Sequence, residues 1–572
     1  MSPHAVRDTF ASSPWTAQPI HTERHLRVIT IGAGASGLLI AYKLQRSFRN
    51  FSLTVYDKND SISGTWTENR YPGCACDIPA HIYTYTFFSN PDFTHVYSGS
   101  AQIKKYFEDF AATFDLGKYI KLQHRVARCE WDENRGEWNV DVDDLVTGTT
   151  VHDTCDILID ATGVLNDWKW PDDVRGLHTF GGDLLHTAAW PADYDLRGKK
   201  VAMLGNGSSA IQVLPAIQPI VDHLTSFIRG PTWISTPFAS DGQGQREYSE
   251  EERERFRNDP AHHLEYRKEQ ESSLNKMYAV FLKDSSVQAE ARAAMAKIIK
   301  SQVRDPVLAD QLIPTWSYGC RRITPGPGYL EALQAENVTL VQSGATTVMP
   351  DGCVLTADGN SHGPFDTLIC ATGFATGYRP RFPVIGLGGR DLRQEWESDA
   401  KGYFALAAAG MPNYFLTFGP NSPIGNGPVL TGMERSVEYI LRCVDRWQTE
   451  NIHSLAPKEE AVEELAQYTD WYMSRTVWND DCRSWYKKHS IDGRITALWP
   501  GSTLHYVEAI REPRWDDWDI QYNGNRFLWL GDGFSQVELD QDADIAWYVR
   551  NKDEDEHYSR SARRKALTSR LR

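Results

Sequence analysis

The stretch Arg27-Val28-Ile29-Thr30-Ile31-Gly32-Ala33-Gly34-Ala35-Ser36-Gly37-Leu38-Leu39-Ile40-Ala41 decides the fold. Its first five residues form a β-rich, largely apolar run, the pattern of a buried strand. Three glycines follow in the spacing Gly-x-Gly-x-x-Gly, and an apolar helical pattern begins at once. A second apolar run, Leu53-Thr54-Val55-Tyr56, ends at Asp57, 20 residues beyond Gly37. Strand, glycine turn, helix, strand and acid make a dinucleotide-binding βαβ unit. Gly32 and Gly34 permit a tight turn and close backbone approach to a pyrophosphate, Gly37 permits close packing of helix on strand, and the free N–H groups of the helix start face the phosphates.

The unit recurs. Lys200-Val201-Ala202-Met203-Leu204 runs into Gly205-Asn206-Gly207-Ser208-Ser209-Ala210, then Ile211-Gln212, and the next strand, Leu224 to Ile228, ends at Arg229. Ala210 is small enough for the third glycine position. The terminal charges separate the ligands: Asp57 accepts hydrogen bonds from ribose hydroxyls and repels a 2′-phosphate, whereas Arg229 attracts one. The first site therefore suits FAD or NAD, and the second NADPH. Two further strands, Asp156 to Asp160 and Asp366 to Cys370, each run into Ala-Thr-Gly, at 161–163 and 371–373, where small residues let the backbone approach a cofactor or cross between domains. The fold class that follows is α/β, with two Rossmann-like dinucleotide-binding domains and a helical insertion. Two nucleotide sites on one chain imply electron flow from NADPH through a flavin. A disulfide reductase would need a Cys-x-x-Cys pair or its like; Cys74-x-Cys76 has one intervening residue and Cys320 stands among arginines, so oxygen is the expected acceptor.

The 572 residues carry a formal charge of −16, which disfavours bulk nucleic-acid binding. Nine scattered cysteines behind an N-terminus without an apolar core point to a reducing, cytoplasmic setting and free thiols. Cys74-x-Cys76 lacks a second ligand pair at zinc spacing, so no metal is expected. No apolar run is long enough to span a bilayer. The ending Ser569-Arg570-Leu571-Arg572 misses a peroxisomal address by its last residue. The segments read as an N-terminal extension (1–26), a first flavin-domain segment (27–165), a first NADP-domain segment (166–240), a helical insertion (241–312), a second NADP-domain segment (313–380), a second flavin-domain segment (381–550) and a charged tail (551–572). A monomer or weak oligomer is expected.

Between the two units stands Phe180-Gly181-Gly182-Asp183-Leu184-Leu185-His186-Thr187-Ala188-Ala189-Trp190-Pro191. It resembles the FxGxxxHxxxW fingerprint of Baeyer–Villiger monooxygenases, in the flavin-containing monooxygenase superfamily, and the resemblance covers roughly residues 27–550. Gly64-Thr65-Trp66, Cys76-Asp77-Ile78 and Tyr83 resemble the family's flavin-contacting segment, with Ser63 where a second glycine is usual. Cys320-Arg321-Arg322 resembles the segment bearing the active-site arginine, which makes Arg322 the catalytic cation, Asp77 its partner and Arg321 a helper of Arg229 at the 2′-phosphate. His186 lies where the two nucleotide domains are expected to meet and is counted, with Arg322 and Asp77, among the catalytic residues the resemblance implies. Gly419-Pro420-Asn421-Ser422-Pro423 resembles a loop returning to the flavin, and Trp485-Tyr486 a mobile loop over nicotinamide and substrate. The resemblance implies a C4a-peroxyflavin that attacks a ketone to give an ester or lactone, in fungal-type members often on large biosynthetic substrates. The competing readings are oxidation of nitrogen or sulfur by the same machinery, and a nucleotide-binding protein without catalysis.

Overall fold

The computed structural model describes residues 13–235 and 244–551. The glycine turns sit where two parallel sheets require them. In the first unit, β1 (Leu26–Ile31), β2 (Phe51–Tyr56), β3 (Ile120–Lys121) and β4 (Ile157–Asp160) frame helix α1 (Ala35–Ser47). In the second, β5 (Asp183–His186), β6 (Lys200–Leu204), β7 (His223–Phe227), β8 (Val338–Val341) and β9 (Thr367–Cys370) frame α2 (Ser208–Ile217). The chain then returns to the first sheet as β10 (Tyr414–Leu416). The orders are β10-β4-β1-β2-β3 and β8-β7-β6-β9-β5, and every pairing is parallel. Both faces of such sheets are covered, which explains strands that are nearly continuous apolar runs: Ile159 pairs with Thr30 and Phe415, and Ile369 with Met203 and Leu185. Leu38, Leu39, Ile40 and Ala41 of α1 are wholly buried.

The insertion is helical for local reasons. Ser249 and Glu252 close a capping box at the start of α3 (Glu250–Asn258), and Asp259 caps α4 (Pro260–Lys276), with Pro260 at the first turn. Helices α5 (Ser286–Gln302) and α6 (Pro306–Gln311) follow, capped by Ser285 and Asp305. From α4, Arg267 donates to the carbonyl oxygens of His81 (3.1 Å) and Tyr85 (3.0 Å) and to Thr84 Oγ1 (3.1 Å), fastening the insertion to the chain around Tyr83.

The second flavin-domain segment is expected from the sequence to run to 550. Among the described residues, 522–551 group instead with 13–24 and 449–451 as a separate small unit. Within it, His21 stacks on Trp529 at 4.7 Å and the Ile20 N–H donates to Phe534 O. Ring stacking and turn hydrogen bonds hold this unit, and neither has a sequence period to read. The charged tail lies outside the described residues beyond Asn551. Among the described residues, no helix is long and apolar enough to cross a membrane.

Candidate active site

Each glycine turn is locked by the Ala-Thr-Gly segment of the neighbouring strand. Gly32 has φ +106°, and a Cβ there would lie 2.7 Å from Ala161 O; Gly205 has φ +115°, and a Cβ there would lie 2.6 Å from Ala371 O. Only glycine fits both the left-handed backbone and the contact. Gly34 and Gly207 stand at the N-caps of α1 and α2, neither capped by a side chain nor followed by an acidic first turn, so both helix starts present N–H groups to an anion. Asp57, buried, accepts from the Ala33 N–H (2.7 Å) and the Asn59 N–H (2.8 Å). Burial raises its pKa, and the two backbone donors oppose the rise. Each carboxylate oxygen keeps a lone pair for a ribose hydroxyl. Gly64 lies against Gly34, which brings Thr65 and Trp66 to the first cradle, and Trp66 Nε1 donates to Tyr83 Oη at 3.2 Å. Ser63, the residue in place of the usual glycine, holds φ +83° and is buried, a left-handed conformation rare outside glycine.

At the second cradle, Asn206 Nδ2 donates to Gly230 O (2.6 Å), Ser208 Oγ meets Thr324 Oγ1 (2.7 Å), and Ala210 is buried in the core. Ser209 lies beside Tyr71, a residue of the first unit. Gln212 faces that unit too: its Nε2 donates to Ala75 O (2.9 Å) and its Oε1 accepts from Tyr71 Oη (2.8 Å). Arg229 is exposed and paired with Asp173 at 2.8 Å. Arg321 stacks over Trp316, its guanidinium 5.1 Å from the ring centre.

Arg322 and Asp77, the expected catalytic cation and its partner, form an ion pair. Arg322 Nε and Nη2 donate to Asp77 Oδ2 and Oδ1 at 2.7 and 2.9 Å, a two-pronged ion pair, while Nη1 donates to Ile424 O at 2.7 Å. Burial lowers the arginine's pKa, but Asp77 outweighs it and the net shift is upward. The guanidinium is therefore a fixed, permanent cation. Tyr486, buried, lies beside it and belongs to the loop that carries Trp485, whose carbonyl accepts from Thr376 Oγ1 at 3.1 Å.

His186 ends β5 away from any charged partner. Its Nδ1 accepts from the Ala188 N–H (3.1 Å), its Nε2 lies 3.3 Å from Thr372 Oγ1, and Trp168 stacks on the ring at 4.7 Å. Burial pushes its pKa down to about 4, so the ring is neutral at pH 7 and joins the 166–170 linker to the second Ala-Thr-Gly. The unfolded chain binds the proton more tightly, so the contribution is complete above pH 6.5 and lost as pH falls toward 4. His186→Gln is expected to flatten that part of the stability profile in urea unfolding; an unchanged slope would assign the acid loss elsewhere.

The expectation of nine free thiols needs correction. Cys320 and Cys482, both buried, are joined as a disulfide with Cα atoms 6.4 Å apart; the other seven are free. Their separation of 162 residues hid the pairing, which exists only because the arginine loop and the Trp485 loop pack together. Sequence reading also passed over Arg483 and Arg381. The repeated dipeptide Cys-Arg at 320–321 and 482–483 was the available signal for Arg483. Arg381, with no carboxylate within 4 Å among the described residues, lines a cavity of about 650 Å³ together with Asp160, Thr162, Tyr378, Phe418 and Lys488, which draws on both Ala-Thr-Gly neighbourhoods.

Comparison with known proteins fits this geometry. A family model described as an NAD(P)-binding Rossmann-like domain matches residues 30–99. The chain is 41% identical over 522 residues to the FAD-binding monooxygenase moxY of Dothistroma septosporum, covering 90% of this chain and 83% of that one. It is 34% identical over 510 residues to a Baeyer–Villiger monooxygenase of Streptomyces coelicolor, covering 86% and 92%. The solved structure of cyclohexanone monooxygenase from Rhodococcus sp. Phi1 bound to NADP⁺ shares 26% identity at a TM-score of 0.75, over 88% of this chain and all of that one. Such identity over nearly nine-tenths of the chain settles the family: the chain belongs to the FAD-binding monooxygenases of the Baeyer–Villiger type.

Proposed function

We propose that this enzyme inserts one atom of O₂ beside the carbonyl of a small-molecule ketone to give an ester or lactone, the second atom leaving as water with the two electrons of NADPH. The observation that supports this reading is the Arg322–Asp77 pair, a cation that cannot release its proton, held from two sides and by Ile424 O. FAD, when bound, takes hydride from NADPH and activates oxygen. Gly32, Gly34, Gly37, Asp57, Thr65, Trp66 and Tyr83 would hold it; Gly205, Asn206, Gly207, Ser208, Arg229 and Arg321 would hold NADPH. The two helix starts without side-chain caps and the opposite charges of Asp57 and Arg229 fit those two dinucleotides.

Reduced oxygen must stay deprotonated to attack a carbonyl as a nucleophile. Arg322 favours the anion by charge, and its pKa, above the already high value of free arginine, prevents it from quenching that anion. The same guanidinium stabilises the oxyanion formed at the carbonyl. Asp77 fixes its position, and Tyr486 and Trp485 exclude water from that side. The experiment is product analysis with NADPH, a cyclic ketone and a thioether. Lactone is expected; sulfoxide as the only product would overturn the reading in favour of heteroatom oxidation.

Arg229→Ala tests the nucleotide assignment. Loss of a charge-assisted contact of about 1.5–3 kcal/mol should raise KM for NADPH some 10- to 100-fold with a much smaller change for NADH. Equal loss with both nucleotides would mean that Arg229 does not read the 2′-phosphate.

A further inference from the structure

Three arginines meet beyond the end of β7 with little to neutralise them. Arg321 is largely buried, its Nε has no hydrogen-bond partner, and its charge is flanked by Arg229 and Arg483. Burial first, then these two neighbours, push its pKa down to about 10. Among the described residues no carboxylate lies within 4 Å of Arg321 or Arg483; Asp173, on Arg229, is the acid paired in the cluster. His489, whose Nε2 lies 2.8 Å from Phe374 O just past the second Ala-Thr-Gly, faces Arg483, Lys169 and Arg229 as well. Three guanidinium groups with a single carboxylate among them keep an excess of positive charge, which an anion would relieve.

The two arginines come from distant parts of the chain, and a covalent bond brings them together. Arg321 follows Cys320, Arg483 follows Cys482, and those cysteines form the disulfide. The pyrophosphate of a nucleotide is served by the N–H groups at the start of α2, so the guanidinium cluster is left for a phosphate monoester.

We propose that Arg483 completes, with Arg229 and Arg321, the clamp for the 2′-phosphate of NADPH, and that the Cys320–Cys482 bridge holds it in place. This rests on the reading of the second nucleotide site as an NADPH site. Arg483, Ser484, Trp485 and Tyr486 are consecutive, and Tyr486 lies beside Arg322. One short segment thus carries both the third arginine of the clamp and the tyrosine beside Arg322.

The test uses the flavin-loaded enzyme and two probes, 2′,5′-ADP and 5′-AMP, with Kd measured by calorimetry. Arg483→Ala is expected to weaken 2′,5′-ADP about tenfold, the loss of one charge-assisted contact, with 5′-AMP changed less than twofold. Arg483→Lys should recover most of the loss. The double variant Cys320→Ser/Cys482→Ser should weaken 2′,5′-ADP in the same selective way. Arg229→Ala serves as reference. Selective loss in Arg229→Ala but not in Arg483→Ala overturns the inference and leaves the nucleotide assignment standing. No selective loss in either overturns both. Equal weakening of the two probes by Arg483→Ala reduces the residue to a structural role and also overturns the inference. Full retention by the double cysteine variant overturns the part assigned to the bridge.

Discussion

Arg322→Ala is expected to lower ester or lactone formation by about 10²- to 10³-fold, the usual cost of removing a group that stabilises a developing oxyanion. NADPH oxidation should continue, because the nucleotide cradles are built from other residues. The substitution removes three hydrogen bonds at once, two to Asp77 and one to Ile424 O. It also leaves Asp77 in a partly buried setting without its counter-charge, so some loss of stability accompanies the loss of activity. Arg322→Lys separates the two effects: it restores a positive charge but not the two-pronged geometry, and product formation should stay well below the parent's. Product by chromatography is set against NADPH consumption at 340 nm. A variant that oxygenates ketone at the parent rate would remove Arg322 from the chemistry.

Gly37→Ala is expected to be nearly as damaging for a different reason. A Cβ at this position would lie 1.9 Å from Gly32 O and 3.0 Å from Gly32 C, both backbone atoms of the first glycine turn. Neither can move unless the turn opens. Overpacking of this kind costs about 1–3 kcal/mol or more, and here the structure that yields is the turn proposed to hold the flavin. The purified variant should melt at a lower temperature and carry little flavin absorbance. Gly207→Ala is the matched control. Nothing lies within 4 Å of its Cβ and its φ is −79°, so its melting temperature should stay near the parent's. Equal damage from both would mean that general helix-start strain, rather than the Gly32 contact, sets the requirement for glycine.

Much of this architecture was readable because its signals are local. A parallel strand buried on both faces is an apolar run, a phosphate turn is a glycine spacing, and the acid or base after the second strand marks the ribose; each lies within a few dozen residues of the next. The cap at Ser249 and the helices behind it were legible for the same reason. The grouping of 522–551 with 13–24 was not: it rests on contacts between distant stretches, such as His21 on Trp529 and Ile20 N–H to Phe534 O, which leave no period in the sequence. Gln212 was legible as part of the second glycine motif, but not as a link to Tyr71 and Ala75.

By itself, then, the sequence determined two nucleotide units of opposite terminal charge and the candidate cation at position 322. Tertiary structure alone decided how Asp77 grips that cation across 245 positions, and that Cys320 meets Cys482 so that Arg483 stands beside Arg321. The reason is geometric. Backbone hydrogen bonding and side-chain alternation act over a few residues and imprint their spacing on the chain, whereas an ion pair or a disulfide between distant loops needs only that the folded sheets bring those loops within a few ångströms.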